Sequence, residues 1–367
     1  MITDFNNPPP ILTPIAKITK DMLRAMRQGE EPLALPSAGI AGHSNASEAR
    51  VLIDLYYGIQ DYRKAIDNQR RAMDQGADTG ITHDALDFIA PQIEAIENNA
   101  RVWLETYINS HVMWPWFAAV DGIGPILAAG LVAHLGSRPV PTTVGKWHRY
   151  AGLDPSQRWL KAEELKALWN QAAGDIEQRV RAISAIVGRD PVTVIRDATT
   201  NYRTGESKTL TKDGALKSLA RIPYNRPLKT LCWKIGDQFV KLGNSQKAFY
   251  AVFYRNRKAI EIARNLNGDR ADLAARTLAA KPTHAQKETY AQGQLPDGRI
   301  DLMARRATVK LFLSHLHELW YRMEHDGELP PRPFAFTILH HTDYIPPPHQ
   351  EALGLKPVLL QYSRKIL

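Results

Sequence analysis

The segment 120–135 holds the residues most able to do chemistry, Gly122-Ile123-Gly124-Pro125, in a turn after a helix that ends in the apolar Val120. Proline suits the first turn of a helix, because its missing N–H would have no partner there. The glycines permit backbone angles that other residues avoid, and they leave the turn without side chains. Free N–H groups at the start of the second helix, with the helix dipole behind them, can then hold a phosphate oxygen. The pattern predicts a helix-hairpin-helix that contacts a DNA backbone, with Ile123 as its inward anchor.

A tight turn between two packed helices that binds nothing is the alternative interpretation of the same glycines. The proline after the turn and the small residues along the second helix favour contact with nucleic acid. Three basic residues that follow in the chain, Arg138, Lys146 and Arg149, are candidates to hold flanking phosphates, or are solvated surface charges. Contacts of this kind position a protein on nucleic acid without reading its bases.

Basic charge is concentrated in the middle of the chain. The 367 residues carry a net charge of +9, and the segment 138–264 holds 24 Lys and Arg against 11 Asp and Glu, which leaves the remainder net negative. A clustered positive charge favours a polyanionic partner. The sequence offers no apolar stretch long enough to span a membrane, and its one cysteine, Cys232, excludes a disulfide within the chain. We therefore expect a cytoplasmic protein without membrane association.

A weaker nucleic-acid candidate lies between Arg179 and Arg203, where apolar spacing indicates a helix, a glycine turn and a second helix that carries or adjoins Arg189 and Arg196. A helix-turn-helix would place that second helix in the major groove. A plain helical pair with a basic exposed side explains the pattern equally well. Aromatic residues that interleave with basic ones suit stacking on unpaired bases or packing in a core: Trp147, Trp159, Trp169 and Tyr202.

Apolar spacing predicts a mainly α fold: a helical hairpin or coiled coil, then a helical domain with the helix-hairpin-helix. Leu52 to Ile66 and Leu86 to Tyr107 repeat apolar residues with alternating spacings of three and four, which is typical of paired helices and of a homodimer element. The predicted organisation is an extended N-terminal arm (1–46), an antiparallel coiled-coil hairpin (47–110), the helix-hairpin-helix domain (111–327) with a basic insertion at about 156–219, and a Pro-rich tail (328–367) that wraps the surface as extended chain.

Asp121-Gly122-Ile123-Gly124-Pro125, followed by Tyr150-Ala151-Gly152-Leu153-Asp154-Pro155, resembles the C-terminal domain of the Piv-like DNA invertases and related insertion-sequence transposases. A coiled coil precedes this hairpin in that family, as the apolar repeats do here, and 304–327 resembles the family's closing helix. The resemblance covers about 48–327, with gaps. It implies a transposase-related DNA-binding protein of a mobile element or phage.

Two departures from the family bear on catalysis. The chain has no counterpart of the family's RuvC-like nuclease domain, whose acidic residues bind metal, so we expect no cofactor, with Mg²⁺ entering only if a partner completes a nuclease site. The family's serine nucleophile corresponds best to Ser207, in a displaced Thr-Gly-Glu-Ser-Lys context that brings Lys208, Lys212 and Arg203 near in sequence. A nucleophilic serine needs such a base or cation. The alternative is a loop hydroxyl bonded to backbone.

Three functions remain open from the sequence. The first is a DNA-binding, transposase-related protein that acts as a dimer. The second is an active recombinase that uses Ser207 together with a partner nuclease domain. The third is an RNA-binding component, because a basic helical surface does not by itself distinguish RNA from DNA. No metal site is predicted, since His315 and His317 stand two residues apart and face different sides of a helix.

Overall fold

The computed structural model describes residues 45–75, 84–136, 139–154, 159–331 and 344–356. Within them the protein is mainly helical, with fourteen α-helices, a 3₁₀ turn and no strand beyond an isolated bridge between Thr200 and Ser207. The chain forms two compact units: Val51–Tyr107 belongs to the first, and Asn45–Arg50 with the described residues from 108 onward belongs to the second. Most of the predicted N-terminal arm lies outside the described residues.

The first unit consists of two long antiparallel helices. They belong to α1 (Ala46–Asp74) and α2 (Asp84–Asn109). Arg63 pairs with Glu97 at 2.5 Å, and Arg70 pairs with Asp87 at 2.5 Å, so residues later in α1 meet residues earlier in α2. Ion pairs therefore link the two helices along this half of the hairpin.

The second unit begins with short helices and is built around its last helix. Its helices are α3 (Trp114–Ala119), α4 (Pro125–Leu135), α5 (Val144–Tyr150), α6 (Ala162–Gln171), α7 (Ile176–Val187), α8 (Pro191–Thr199), α9 (Lys212–Ala220), α10 (Arg226–Lys241), α11 (Phe249–Leu266), α12 (Ala271–Ala280), α13 (Lys287–Ala291) and α14 (Asp297–Glu324), and the 3₁₀ turn is Gln350–Leu353. Helix α14 packs against α5, α10 and α11. Aromatic rings fill this core, with Phe312 of α14 stacked on Trp116 at 5.5 Å between ring centres.

The predicted insertion at about 156–219 contains four helices with a core of their own. Helices α6 to α9 enclose a buried cluster that includes Trp169, Ile183 and Leu219. Side-chain caps start three of these helices: Asp175 forms a capping box at α7, Asp190 accepts from the first turn of α8, and Thr211 accepts from Gly214 in α9. Caps of this kind satisfy N–H groups that the helix leaves without partners. The stretch is therefore a helical module with its own buried cluster.

The described part of the C-terminal tail, residues 344–356, is anchored on α14 by hydrogen bonds. His315 accepts a hydrogen bond at Nδ1 from the Tyr250 hydroxyl (2.9 Å) and donates from Nε2 to the Ile345 carbonyl (2.9 Å). Arg322 donates to buried Gln350 at 2.7 Å. Buried polar groups on α14 need hydrogen-bond partners, and the tail supplies them.

Burial of His315 predicts a pH-dependent stability. Desolvation lowers the pKa of this imidazole from 6.5 to about 3, so the folded state binds fewer protons than the unfolded state between these pH values. Its contribution is complete above pH 6.5 and is lost as the pH falls. We expect urea denaturation to show a free energy of unfolding about 2 kcal/mol lower at pH 5 than at pH 7 from this group. The His315→Gln variant should show a smaller difference between the two pH values; an equal difference in both proteins would contradict the assignment.

Candidate nucleic-acid interface

Helices lie on both sides of the glycine turn. Helix α3 ends at Ala119, and α4 begins at Pro125. The Ile123 N–H donates to the Val120 carbonyl at 3.1 Å and closes the turn, and the Ile123 side chain is buried. Ile123 therefore anchors the turn from inside, as the sequence predicted.

The two glycines of the turn serve different purposes. Gly122 has a φ of +88°, which side chains rarely adopt, and a Cβ there would lie 2.9 Å from the Leu242 Cδ1 methyl, so the backbone conformation favours glycine and a side chain would also displace Leu242. Gly124 has φ −83° and ψ 173°, which any residue adopts, and a Cβ there would meet open space. The prediction that both glycines use backbone angles closed to other residues is wrong for Gly124, because its extended conformation is the one that a following proline favours.

The start of α4 is exposed and lacks a side-chain cap. Gly124 occupies the N-cap position, is exposed, and offers no side-chain oxygen to the N–H groups of the first turn. From Ala128 to Leu135 every residue of α4 is buried. The helix is thus held rigidly inside the protein, while its positive end opens at the surface beside a residue with no side chain.

One asparagine joins this helix to the Tyr-Ala-Gly-Leu segment. The Asn225 side-chain amide donates to the Tyr150 hydroxyl at 2.7 Å and lies 3.4 Å from Nδ1 of His134 in α4. Its backbone N–H donates to the Tyr150 carbonyl, and its side-chain oxygen caps α10 at Leu228. Asn225 therefore links the C-terminal end of α4 to Tyr150, the first residue of that segment. Asn225 is not among the predicted site residues, although an Asn two residues before a proline is a recognisable cap signal.

The flanking basic residues have different environments. Lys146 and Arg149 are both exposed on α5, and Arg149 lies 3.5 Å from Asp154. Arg138 lies outside the described residues. Lys146 forms no ion pair with any residue that the structure describes, so its charge is available to an external anion.

The second basic candidate divides into one structural and one exposed arginine. Arg189 follows the left-handed Gly188 between α7 and α8, and donates to the carbonyls of Ser218 and Leu219 at 2.8 and 2.9 Å. Desolvation lowers the pKa of its guanidinium. Arg189 therefore closes the end of α9, and we leave it out of the proposed interface. Arg196 is exposed on α8, with the Asp197 carboxylate 3.8 Å away.

Ser207 lies on an exposed loop after α8. The Ser207 residue pairs with Thr200 in an isolated antiparallel bridge, and the neighbouring Lys208 N–H donates to the Thr199 carbonyl. Among the described residues, no hydrogen bond joins the Ser207 hydroxyl to Lys208, Lys212 or Arg203. The geometry brings no activating base to this serine.

The aromatic candidates are partly core residues. Trp147 and Trp169 are buried, with Trp147 packed edge-on against Trp320. Trp159 and Tyr202 are exposed, and the Trp159 indole donates to the Ala220 carbonyl at 3.1 Å. Trp233, which is not among the predicted aromatic candidates, is 57% exposed on α10.

The described residues contain no group of three or more His, Cys, Asp and Glu arranged to hold a metal ion. His317 is buried and lies 2.6 Å from the Pro141 carbonyl through Nε2, and His315 is bonded as described above.

Burial raises the pKa of the Cys232 thiol to about 12. None of the helices within the described ranges combines the length and the apolar character that a membrane span needs.

Comparison with protein families, with curated proteins and with solved structures finds no match to this chain. The resemblance noted from the sequence motifs therefore stays a hypothesis.

The different roles of the two glycines predict opposite effects of substitution on stability. Gly122→Ala should lower the free energy of unfolding by about 1–3 kcal/mol, because alanine is strained at a positive φ and its Cβ meets Leu242. Gly124→Val should change stability little, since valine suits an extended conformation and its side chain enters solvent. Thermal unfolding of both variants checks this; equal destabilisation would contradict the geometry of the turn.

Proposed function

We propose that this chain binds DNA through the phosphate backbone, with the exposed start of α4 as the primary contact. The observation that carries the proposal is the bare N-terminus of α4 at Gly124, where a backbone phosphate can approach the N–H groups of the first turn. Gly122 fixes the path of the turn, and Ile123 holds it from inside. A contact made by backbone N–H groups reads no bases, so the proposed binding is independent of sequence.

Charge around the site supports a polyanionic partner. Lys146 and Arg149 are exposed on α5, and Asn225 ties the end of α5 to α4. The excess of basic residues over 138–264 would supply further phosphate contacts. We propose, from the sequence resemblance, that the protein is related to the transposases of mobile elements and acts on DNA in that context. Arg196 remains a candidate for a peripheral phosphate contact.

Gly124→Val is the sharpest test of this contact. A valine side chain would occupy the space that a phosphate must enter, while the fold has room for it. We expect the variant to bind a labelled duplex of about 40 base pairs at least about tenfold more weakly than the parent, and parent affinity to fall steeply with salt as counterions are recaptured. Fluorescence anisotropy across a salt series measures both quantities.

Gly145→Val is the matched control, because Gly145 is exposed on α5 and a Cβ there also meets open space. A well-folded Gly124→Val that binds like the parent would remove the turn from the interface. Preference for a structured RNA over the duplex at equal salt would favour the RNA-binding alternative.

We further propose that the hairpin of the first unit pairs with a second copy of the chain. Tyr62 and Ile96 each stand one residue before a member of the Arg63–Glu97 pair. In antiparallel helices, residues offset in the same direction from a contact pair turn to the same side. The two apolar repeats therefore share one face, where Leu55, Tyr62, Ile89 and Ile96 are 48%, 70%, 43% and 45% exposed. A self-complementary two-helix face of this kind suits a symmetric four-helix pairing.

Negative charges introduced on this face should separate the two copies of the chain. We expect Tyr62→Glu with Ile96→Glu to shift the protein from dimer to monomer in analytical ultracentrifugation, because paired carboxylates would meet across the interface. Asn68→Glu with Asn98→Glu is the control, since both asparagines are exposed away from the apolar repeats. A monomeric parent, or equal dissociation by the control, would contradict the proposed pairing.

A further inference from the structure

A small basic cavity lies beside the Tyr-Ala-Gly-Leu segment, within the second unit. It measures about 190 Å³ and is lined by the end of that segment, the start of α10 and one turn of α14: Arg149, Gly152, Leu153, Asp154, Tyr224, Lys229 and Arg306. Its cations come from three elements that are far apart in sequence. Three cations against one carboxylate leave the cavity with a net positive charge.

Gly152 allows the walls of this cavity to close. It has a φ of +66°, and a Cβ there would lie 2.7 Å from the Tyr224 ring and 3.1 Å from the Lys229 side chain. The Lys229 ammonium lies 4.0 Å from the centre of the Tyr224 ring, which directs it along the cavity wall by a cation–π contact. The backbone conformation at Gly152 and the ring of Tyr224 thus fix the position of one of the three charges.

Two of the cations have no carboxylate partner among the described residues. Arg305 pairs with Asp237 and Asp301, whereas the adjacent Arg306 forms no ion pair or hydrogen bond there. Among the described residues, the ammonium of Lys229 has a cation–π contact with the Tyr224 ring and no ion pair. Like charges that line one cavity repel each other, and an anion between them would remove that cost. A guanidinium beside an ammonium matches the several oxygens of a phosphate group.

An exposed tryptophan lies one helical turn beyond this cavity. Trp233 follows Lys229 by four residues on α10, so the two side chains share a face of the helix. Its indole is 57% exposed, in contrast to the buried Leu231 and Cys232 beside it. A flat aromatic surface next to a phosphate site is the arrangement that holds an unpaired nucleotide, by stacking on the base. A base within a duplex has no free face to offer.

We infer that the Arg149–Lys229–Arg306 cavity binds a phosphate of an unpaired nucleic-acid strand, with the neighbouring base stacked on Trp233. This inference rests on the proposed function and adds a substrate class to it, because the start of α4 would hold the duplex while the cavity takes a single-stranded extension. The phosphate is either an internal phosphodiester or a terminal phosphate, and both carry the oxygens that the cavity requires.

The test compares a blunt duplex of about 40 base pairs with the same duplex carrying a single-stranded extension of about 10 nucleotides, measured by anisotropy. We expect the parent to bind the extended DNA about tenfold more tightly. Lys229→Gln with Arg306→Gln should lose this preference and lower the salt slope on extended DNA by one to two, on the order of one per phosphate contact. Trp233→Ala should also lose the preference, with its salt slope unchanged.

Arg276→Gln with Lys281→Gln removes the same charge from exposed positions at the end of α12 and is the control for net charge. Parent-like preference in the cavity variant, or an equal loss in the control, would overturn the inference. A parent that binds both DNAs equally would also overturn it while leaving the proposed function intact. Failure to bind either DNA would overturn the proposed function itself. An extension with a 5′ phosphate that binds more tightly identifies a terminal phosphate as the ligand, and equal binding identifies the phosphodiester.

Discussion

The arrangement of the candidate site depends on Asn225. Its side chain caps α10, donates to the Tyr150 hydroxyl and approaches His134 of α4, while its backbone N–H holds the Tyr150 carbonyl. One residue thus fixes the orientation of three segments that are distant in sequence. Both proposed contacts involve helices that Asn225 links, α4 at the duplex contact and α5 and α10 at the cavity, so their geometry depends in part on the same hydrogen bonds. A small polar residue is suited to this task because an amide donates and accepts at once.

The glycine turn shows how a motif separates folding from binding. Gly122 suits its positive φ and the close approach of the Leu242 methyl, so its presence is explained whether or not the turn meets a ligand. Gly124 meets neither requirement. A glycine that the fold does not need leaves backbone N–H groups open, and this is the physical reason to associate Gly124 with a ligand. Proline at the next position adds to the effect, since it begins the helix without requiring a capping side chain.

Local patterns were sufficient to predict much of the fold. Apolar spacing predicted the long helices α1, α2 and α14, and the Gly-Pro pair predicted where α4 begins. The number of helices in the predicted insertion at about 156–219 was underestimated, although Asp175, Asp190 and Thr211 are recognisable cap signals in the sequence. Charge alone suggested a basic insertion, because a short module alternates its apolar positions with long charged side chains and masks its own core.

Roles that depend on tertiary contacts were beyond reach of the sequence. Arg189 looked like a DNA contact because it follows a turn between two helices, but its partners are carbonyls of α9, about thirty residues later. The cavity joins Arg149 to Arg306 across more than half of the second unit's length in sequence, and no local pattern connects them. Tryptophan burial shows the same limit, since Trp147 is in the core and Trp233 is at the surface although each has a lysine beside it in the sequence.

Electrostatics explains why two weakly specific contacts can select a structure rather than a sequence. The start of α4 offers N–H groups and the cavity offers cations, and neither presents the paired donors and acceptors that distinguish bases in the major groove. The two proposed sites belong to one compact unit, in which Asn225 links α4, α5 and α10. A DNA that places a duplex phosphate at one proposed site and an unpaired strand at the other would satisfy both at once, and a uniform duplex would satisfy one. Selection by geometry of this kind needs rigid spacing more than it needs side chains that read bases, and the buried residues of α4 provide that rigidity.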